Sequence, residues 1–164
     1  MIYQLKEKIW TFTNDAYTIN DEQGNPAFQV EGKWFSWGDD LSFKSMSGEE
    51  LLQIKQVLWT FMPKYTILKN GEELAEVQKE FSWFNQKFVL DVPGPNDYTI
   101  SGSFWQREFE FLREGKVAAK VSKEFWAWSD TYGIDIQEGE NVELILATCI
   151  VIDLVLFEQK KKND

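Results

Sequence analysis

The side chains that most often do chemistry near neutral pH are scarce in this chain of 164 residues. It has no His, one Cys and 27 carboxylates. Without His there is no Ser-His or Cys-His nucleophile pair, no ordinary general base near pH 7, and no imidazole for zinc. Cys149 stands inside an apolar run and has no second Cys to pair with. Paired carboxylates are the catalytic chemistry that remains. No acidic pair is set apart by its surroundings, and no Gly-rich phosphate loop occurs. The expectation is a chain with no catalytic residue, no metal and no cofactor. Its net charge of −10 opposes nucleic-acid binding, which needs clustered Lys and Arg to neutralise phosphates.

What does recur is Trp beside Lys. The residues that invite a binding role are Lys33, Trp34, Trp37, Lys79, Trp83, Lys123, Trp126 and Trp128. Trp and Lys together suit an interfacial contact: the indole bridges apolar and wet layers while Lys meets anionic groups.

The elements that position these residues follow from periodicity. Three stretches read as strand, Gly turn, strand, aromatic corner: Tyr17–Trp37, Tyr65–Trp83 and Phe109–Trp128. Lys33, Lys79 and Lys123 align in them, as do Val30, Val77 and Val121. The first copy carries one extra residue, assigned to a β-bulge at Gly32. Trp10, Trp34, Trp59, Trp83, Trp105 and Trp128 follow one another at steps of 24, 25, 24, 22 and 23, which suits two strands and two turns. This places twelve strands, near 3–8, 16–20, 27–33, 40–45, 50–58, 64–69, 74–80, 86–92, 97–104, 106–112, 117–123 and 131–136. The least distinctive is 50–58, "ELLQIKQVL", which taken alone could be helical.

The chain then turns helical over about 140–158. Within it "LILATCIVIDLVLF", Leu144–Phe157, is apolar on every side. As a helix these residues rise only about 21 Å at ~1.5 Å each, short of a ~30 Å bilayer core, and Asp153 would be costly in lipid. No transmembrane span is expected. A helix without a polar face must instead be covered by protein all round. Twelve strands tilted by ~40° close into a barrel of radius roughly 12 Å, which leaves room for one helix. The fold class is therefore mainly β: a closed twelve-stranded antiparallel barrel around a central hydrophobic helix. Ala147, Cys149, Ile150, Asp153 and Phe157 are its core helix residues. Asp153 must find a hydrogen-bond partner on the wall or lie near the mouth.

"DAYTINDEQGNPAFQVEGKWFSWGDDLSF", residues 15–43, resembles the opening of LURP-one-related proteins, including bacterial members. Ile152–Glu158, "IDLVLFE", resembles the helix that ends phospholipid scramblases. The resemblance implies the tubby-type fold and a non-enzymatic module with a lipid connection. It departs from scramblases in "SDTYGIDIQEGENVE", where Asp130, Tyr132 and Gly133 correspond loosely to a calcium segment but the dense Asp/Asn alternation is missing. The basic pocket residues of tubby proteins have no local counterpart here.

In an up-and-down barrel all eight Trp fall at one end. Loop windows at the other end carry 4 bases and 13 acids, against 12 and 11 at the Trp end, where Lys160–Lys162 also emerge. Two readings of the Trp stand. In the plainer one the rings cap the core and the Lys tail complements the helix C-terminus. In the other the rim meets an anionic lipid head group or a protein partner. The domain is expected over 1–158, with a polar basic tail at 159–164. Its location is expected to be cytoplasmic, peripheral at the membrane in the lipid-binding version, and the default state a monomer. The alternative function is scramblase-like phospholipid transport, which requires the helix to leave the barrel.

Overall fold

Along most of the wall the burial alternates. In "ELLQIKQ" Leu52 and Ile54 are buried while their neighbours are not. "KYTILK" buries Tyr65 and Ile67, and "KFVLD" buries Phe88 and Leu90. Period-two patterns of β-branched and aromatic residues commit these segments to strands with one face inward. The computed structural model describes residues 1–6, 17–32, 38–125 and 131–164. Its strands are β1 Ile2–Lys6, β2 Tyr17–Asn20, β3 Pro26–Gly32, β4 Asp40–Ser45, β5 Glu50–Gln56, β6 Lys64–Lys69, β7 Glu72–Glu80, β8 Lys87–Asp91, β9 Tyr98–Ser103, β10 Glu108–Arg113, β11 Lys116–Ser122 and β12 Thr131–Ile136. The segment that could have been a helix is β5.

Each strand pairs antiparallel with its chain neighbours, and β1 closes on β12 with Ile2 opposite Asp135 and Lys6 opposite Thr131. The barrel therefore has no free edge, which removes the usual route to edge-to-edge association. Tight turns serve one end. Asn70 and Gly71 both take positive φ, +52° and +79°, as a two-residue hairpin loop between right-twisted strands requires.

On the β4 side the bulge expected at Gly32 is not there. β3 and β4 stay in register through Val30–Phe43, Glu31–Ser42 and Gly32–Leu41. The register slips instead beside the polar turns, where Ala27, Leu51, Leu74 and Ala118 are the extra residues on β3, β5, β7 and β11. All four pack on the core or lie in it. A bulge lets two successive side chains lean inward and bends the strand.

The single helix, α1, spans Val142–Asn163. Asn141 caps it, its side chain accepting from the Leu144 N–H at 3.1 Å. Every residue from Leu144 to Leu156 is buried, and together with the inward faces of the strands they form one core cluster. Ala147, Cys149 and Ile150 are fully enclosed, while Phe157 is half-buried where the helix leaves the barrel. The inner residues of "LILATCIVIDLVLF" are thus the filling of a barrel. Among the described residues no helix is long and apolar enough to cross a membrane.

Candidate functional site: an aromatic rim beside the helix exit

The β5–β6 connection lies beside the end of β7, the Lys79 N–H donating to the Pro63 carbonyl at 3.0 Å, and meets the β7–β8 connection through Phe61 and Phe81. Past the strand ends the alternating pattern no longer dictates direction, and the aromatic side chains turn outward. Trp59 is 95 % exposed, Phe61 89 %, Trp83 83 % and Phe84 94 %. Trp83 meets Phe81 edge-on at 5.1 Å between ring centroids, and Phe81 lies 6.3 Å from Phe61. Trp59 holds φ at +62°, an unfavourable backbone for a bulky L-residue. The plainer expectation, that the Trp rings cap the core, does not hold for Trp59 or Trp83, and Trp105 is half-exposed at 48 %. Isolated exposed apolar residues are ordinary, but a contiguous exposed patch of this kind marks a contact surface.

Lysines border the patch. Lys55, Lys87 and Lys160–Lys162 are exposed, and Lys64 pairs with Glu76 at 3.0 Å. Lys79 continues the inward register of Ala75 and Val77 at the mouth and is half-buried, and that burial pushes its ammonium pKa down. Lys123 opens a short 3₁₀ turn, half-buried, its backbone N–H donating to Glu108. Of the sequence-picked rim, Lys79 and Trp83 share the patch. Lys123 belongs to a different corner. Lys33, Trp34, Trp37, Trp126 and Trp128 lie outside the described residues, as does Trp10. Phe61 and Phe84 are about as fully exposed as Trp59 and Trp83 and were not singled out.

Where α1 leaves the barrel a cleft of about 210 Å³ opens between its last turns and the β5–β6 connection. Val155, Glu158, Gln159 and Lys162 form one side, and Leu58, Trp59 and Phe61 the other. At its base the Tyr65 hydroxyl donates to Asp39 at 2.6 Å. Burial, then the carboxylates of Asp39 and Glu158, push that phenol far above its ordinary range.

Deeper in, Asp153 has the partners its burial demands. At 2 % exposure it accepts a short hydrogen bond from the Tyr132 hydroxyl, and the Arg107 Nε lies 3.0 Å from its Oδ1 as an ion pair. That Nε–H is not aligned as a hydrogen bond. Arg107 sits at φ +57° directly after a 3₁₀ turn at Phe104–Gln106, its Nη1 donates to the Phe104 carbonyl at 2.9 Å, and its guanidinium lies over the Tyr132 ring. Cys149 is buried and free, and its thiol is pushed well up, by burial first and then by Asp153. This is the chemistry of a satisfied core. Tyr132 and Gly133, the loose calcium-segment matches, serve it too: Tyr132 holds Asp153, and a side chain at Gly133 would collide with Phe125. Among the described residues no cluster of three or more His, Cys, Asp or Glu is placed to hold a metal.

Comparison with known proteins agrees with the architecture. The family model described as LURP-one-related matches residues 1–153. The chain is 35 % identical over 159 residues to the uncharacterised protein YxjI of Bacillus subtilis (strain 168), covering 97 % of this chain and 96 % of that one. An Arabidopsis thaliana protein solved by X-ray crystallography superposes with a TM-score of 0.65 at 14 % identity, covering 96 % and 91 % of the two chains. At that identity the likeness speaks to the fold, a twelve-stranded barrel around a C-terminal helix, as the tubby-type resemblance implied. By sequence and by architecture, the chain belongs to the LURP-one-related family.

Proposed function

We propose that this protein is a non-catalytic binding module that docks on an anionic lipid surface through its aromatic rim, as a peripheral rather than a spanning protein. The observation that carries this reading is the outward-facing set Trp59, Phe61, Trp83 and Phe84, with Lys55, Lys87 and Lys160–Lys162 around it. Two protruding loops tipped with rings suit insertion among head groups better than a concave protein contact. The acidic turns belong to the opposite end, so net charge would orient the barrel with its rim toward a negative surface. Family membership supports a binding module of some kind. Against catalysis stands the state of the acids. Glu108 and Glu110 line a shallow depression on the outer wall, but Glu108 already accepts from the Ser122 hydroxyl and the Lys123 N–H. Asp91 and Asp97 sit together on an exposed turn.

Covering one aromatic side chain removes roughly 150–250 Å² from water, about 4–6 kcal/mol at ~25 cal/mol/Å². Even a third of that, for two rings, exceeds the 1.4 kcal/mol that corresponds to tenfold in binding. Flotation with vesicles containing phosphatidylglycerol at low salt tests the reading. Wild type should float, and Trp59→Ser/Trp83→Ser should lose at least roughly tenfold in affinity while keeping its melting transition. Failure of the wild type to float at any ionic strength removes the lipid reading and leaves a protein partner as the occupant of the rim.

A further inference from the structure

The cleft beside the rim separates charge along its depth. α1 runs outward there, and its residues pass from Val155, buried, through Glu158 and Gln159, half-buried, to Lys162, exposed. Glu158 and Lys162 are one turn apart, about 6 Å along the axis at ~1.5 Å per residue. At that spacing they could pair with each other. They do not, and neither forms an ion pair with any described residue. Across from them stand Trp59 and Phe61, Trp59 with φ at +62°. A carboxylate below, aromatic rings at the side and an ammonium at the mouth match an organic cation bound inward with a phosphate above it. Rings and a carboxylate attract an organic ammonium, and a lysine at the opening meets the phosphate as a point charge.

We infer that this cleft binds a phospho-ammonium group, a phosphate joined by a short carbon linker to an ammonium, with the ammonium toward Glu158 between Trp59 and Phe61 and the phosphate at Lys162. The inference rests on the rim-docking reading for the source of the ligand, a zwitterionic phospholipid head group. In a bilayer that group carries its ammonium away from the hydrocarbon and its phosphate nearer to it, which is the order the cleft presents when the rim faces the membrane. A free phospho-ammonium metabolite has the same chemistry.

The test uses the full chain, ¹⁵N-labelled, titrated with phosphocholine and phosphoethanolamine, and separately with choline and with inorganic phosphate. Saturable shifts are expected at the Trp59 indole and along residues 155–162. Glu158→Gln and Trp59→Ala should each weaken phosphocholine roughly tenfold, with an unchanged melting transition. Lys162→Gln should weaken phosphocholine but leave choline as it was. Absence of saturable shifts, shifts confined to other surfaces, or full affinity in Glu158→Gln would overturn the assignment. Vesicles of phosphatidylcholine with and without phosphatidylglycerol separate the two claims. Binding of phosphocholine without flotation keeps the cleft, assigns it a soluble ligand, and removes the membrane. Flotation without phosphocholine binding keeps the rim and removes the cleft.

Discussion

Replacing Arg107 with Leu would take the guanidinium away from Asp153, which also accepts from the Tyr132 hydroxyl in the core. The carboxylate is 2 % exposed and sits on a helix whose sides are all covered, so it cannot swing to water. Breaking a buried ion pair from one side costs about 3–5 kcal/mol, against a total of ~5–15 kcal/mol for a domain. The backbone strain at φ +57° is shared by Arg and Leu and cancels in the comparison. Removing both charges in Arg107→Leu/Asp153→Leu should recover most of the loss, because well-packed apolar pairs replace buried ion pairs at little or no cost. What remains is the loss of the Asp153 acceptor by the buried Tyr132 hydroxyl, about 1–3 kcal/mol. Adding Tyr132→Phe should recover that as well. Urea unfolding followed by Trp fluorescence measures each variant, with the m-value checking that the transition stays two-state. A loss below about 1 kcal/mol in Arg107→Leu, or costs that simply add in the double variant, would refute the claim that these groups form one buried unit.

Ile150→Asp or Ala147→Lys should abolish soluble expression, since each places an unpaired charge where the helix is fully enclosed. Deleting Lys160–Asp164 should shift the unfolding midpoint by less than about 1 kcal/mol, because those residues are exposed. Cys149 should resist thiol reagents in the folded protein and react at once in urea, and fast labelling under native conditions would show the helix leaving the barrel. Tyr98 donates to Glu140 at 2.6 Å, and its phenol is pushed up from 10.0 to about 12, by burial first and then by Glu140. The folded chain therefore keeps a proton that the unfolded chain releases in that window. Stability from this group is full below pH 10 and falls as pH rises toward about 12, and Tyr98→Phe should flatten part of the alkaline fall in the urea midpoint.

The twelve strands and the helix were legible because both rest on patterns that survive without partners. A strand with one buried face must alternate, and a helix with no polar face must be enclosed. The Gly32 bulge was misplaced because the alignment followed Lys33, Lys79 and Lys123, whereas the real slips lie at Ala27, Leu51, Leu74 and Ala118. Those are apolar residues that locally look like noise in the alternation. That Asp153 needed a partner could be read directly, but not which one, since Arg107 reaches it only once barrel closure has set the register. Ring direction was not legible for the same kind of reason. Trp59 and Trp83 stand beyond the strand ends, where the two-residue period stops deciding which face a side chain takes. Glu158 and Lys162 look like a solvated helix face until the β5–β6 connection is placed across a cleft from them.

The central claim is that the aromatic rim is the face that meets lipid. Hydrogen–deuterium exchange with and without phosphatidylglycerol-containing vesicles tests it by location. Added vesicles should slow exchange at 57–63 and 81–86 and leave the hairpin turns at 69–72 and 113–116 unchanged. Slowed exchange at the acidic turns, or none at the two rim loops while the protein is vesicle-bound, would contradict it.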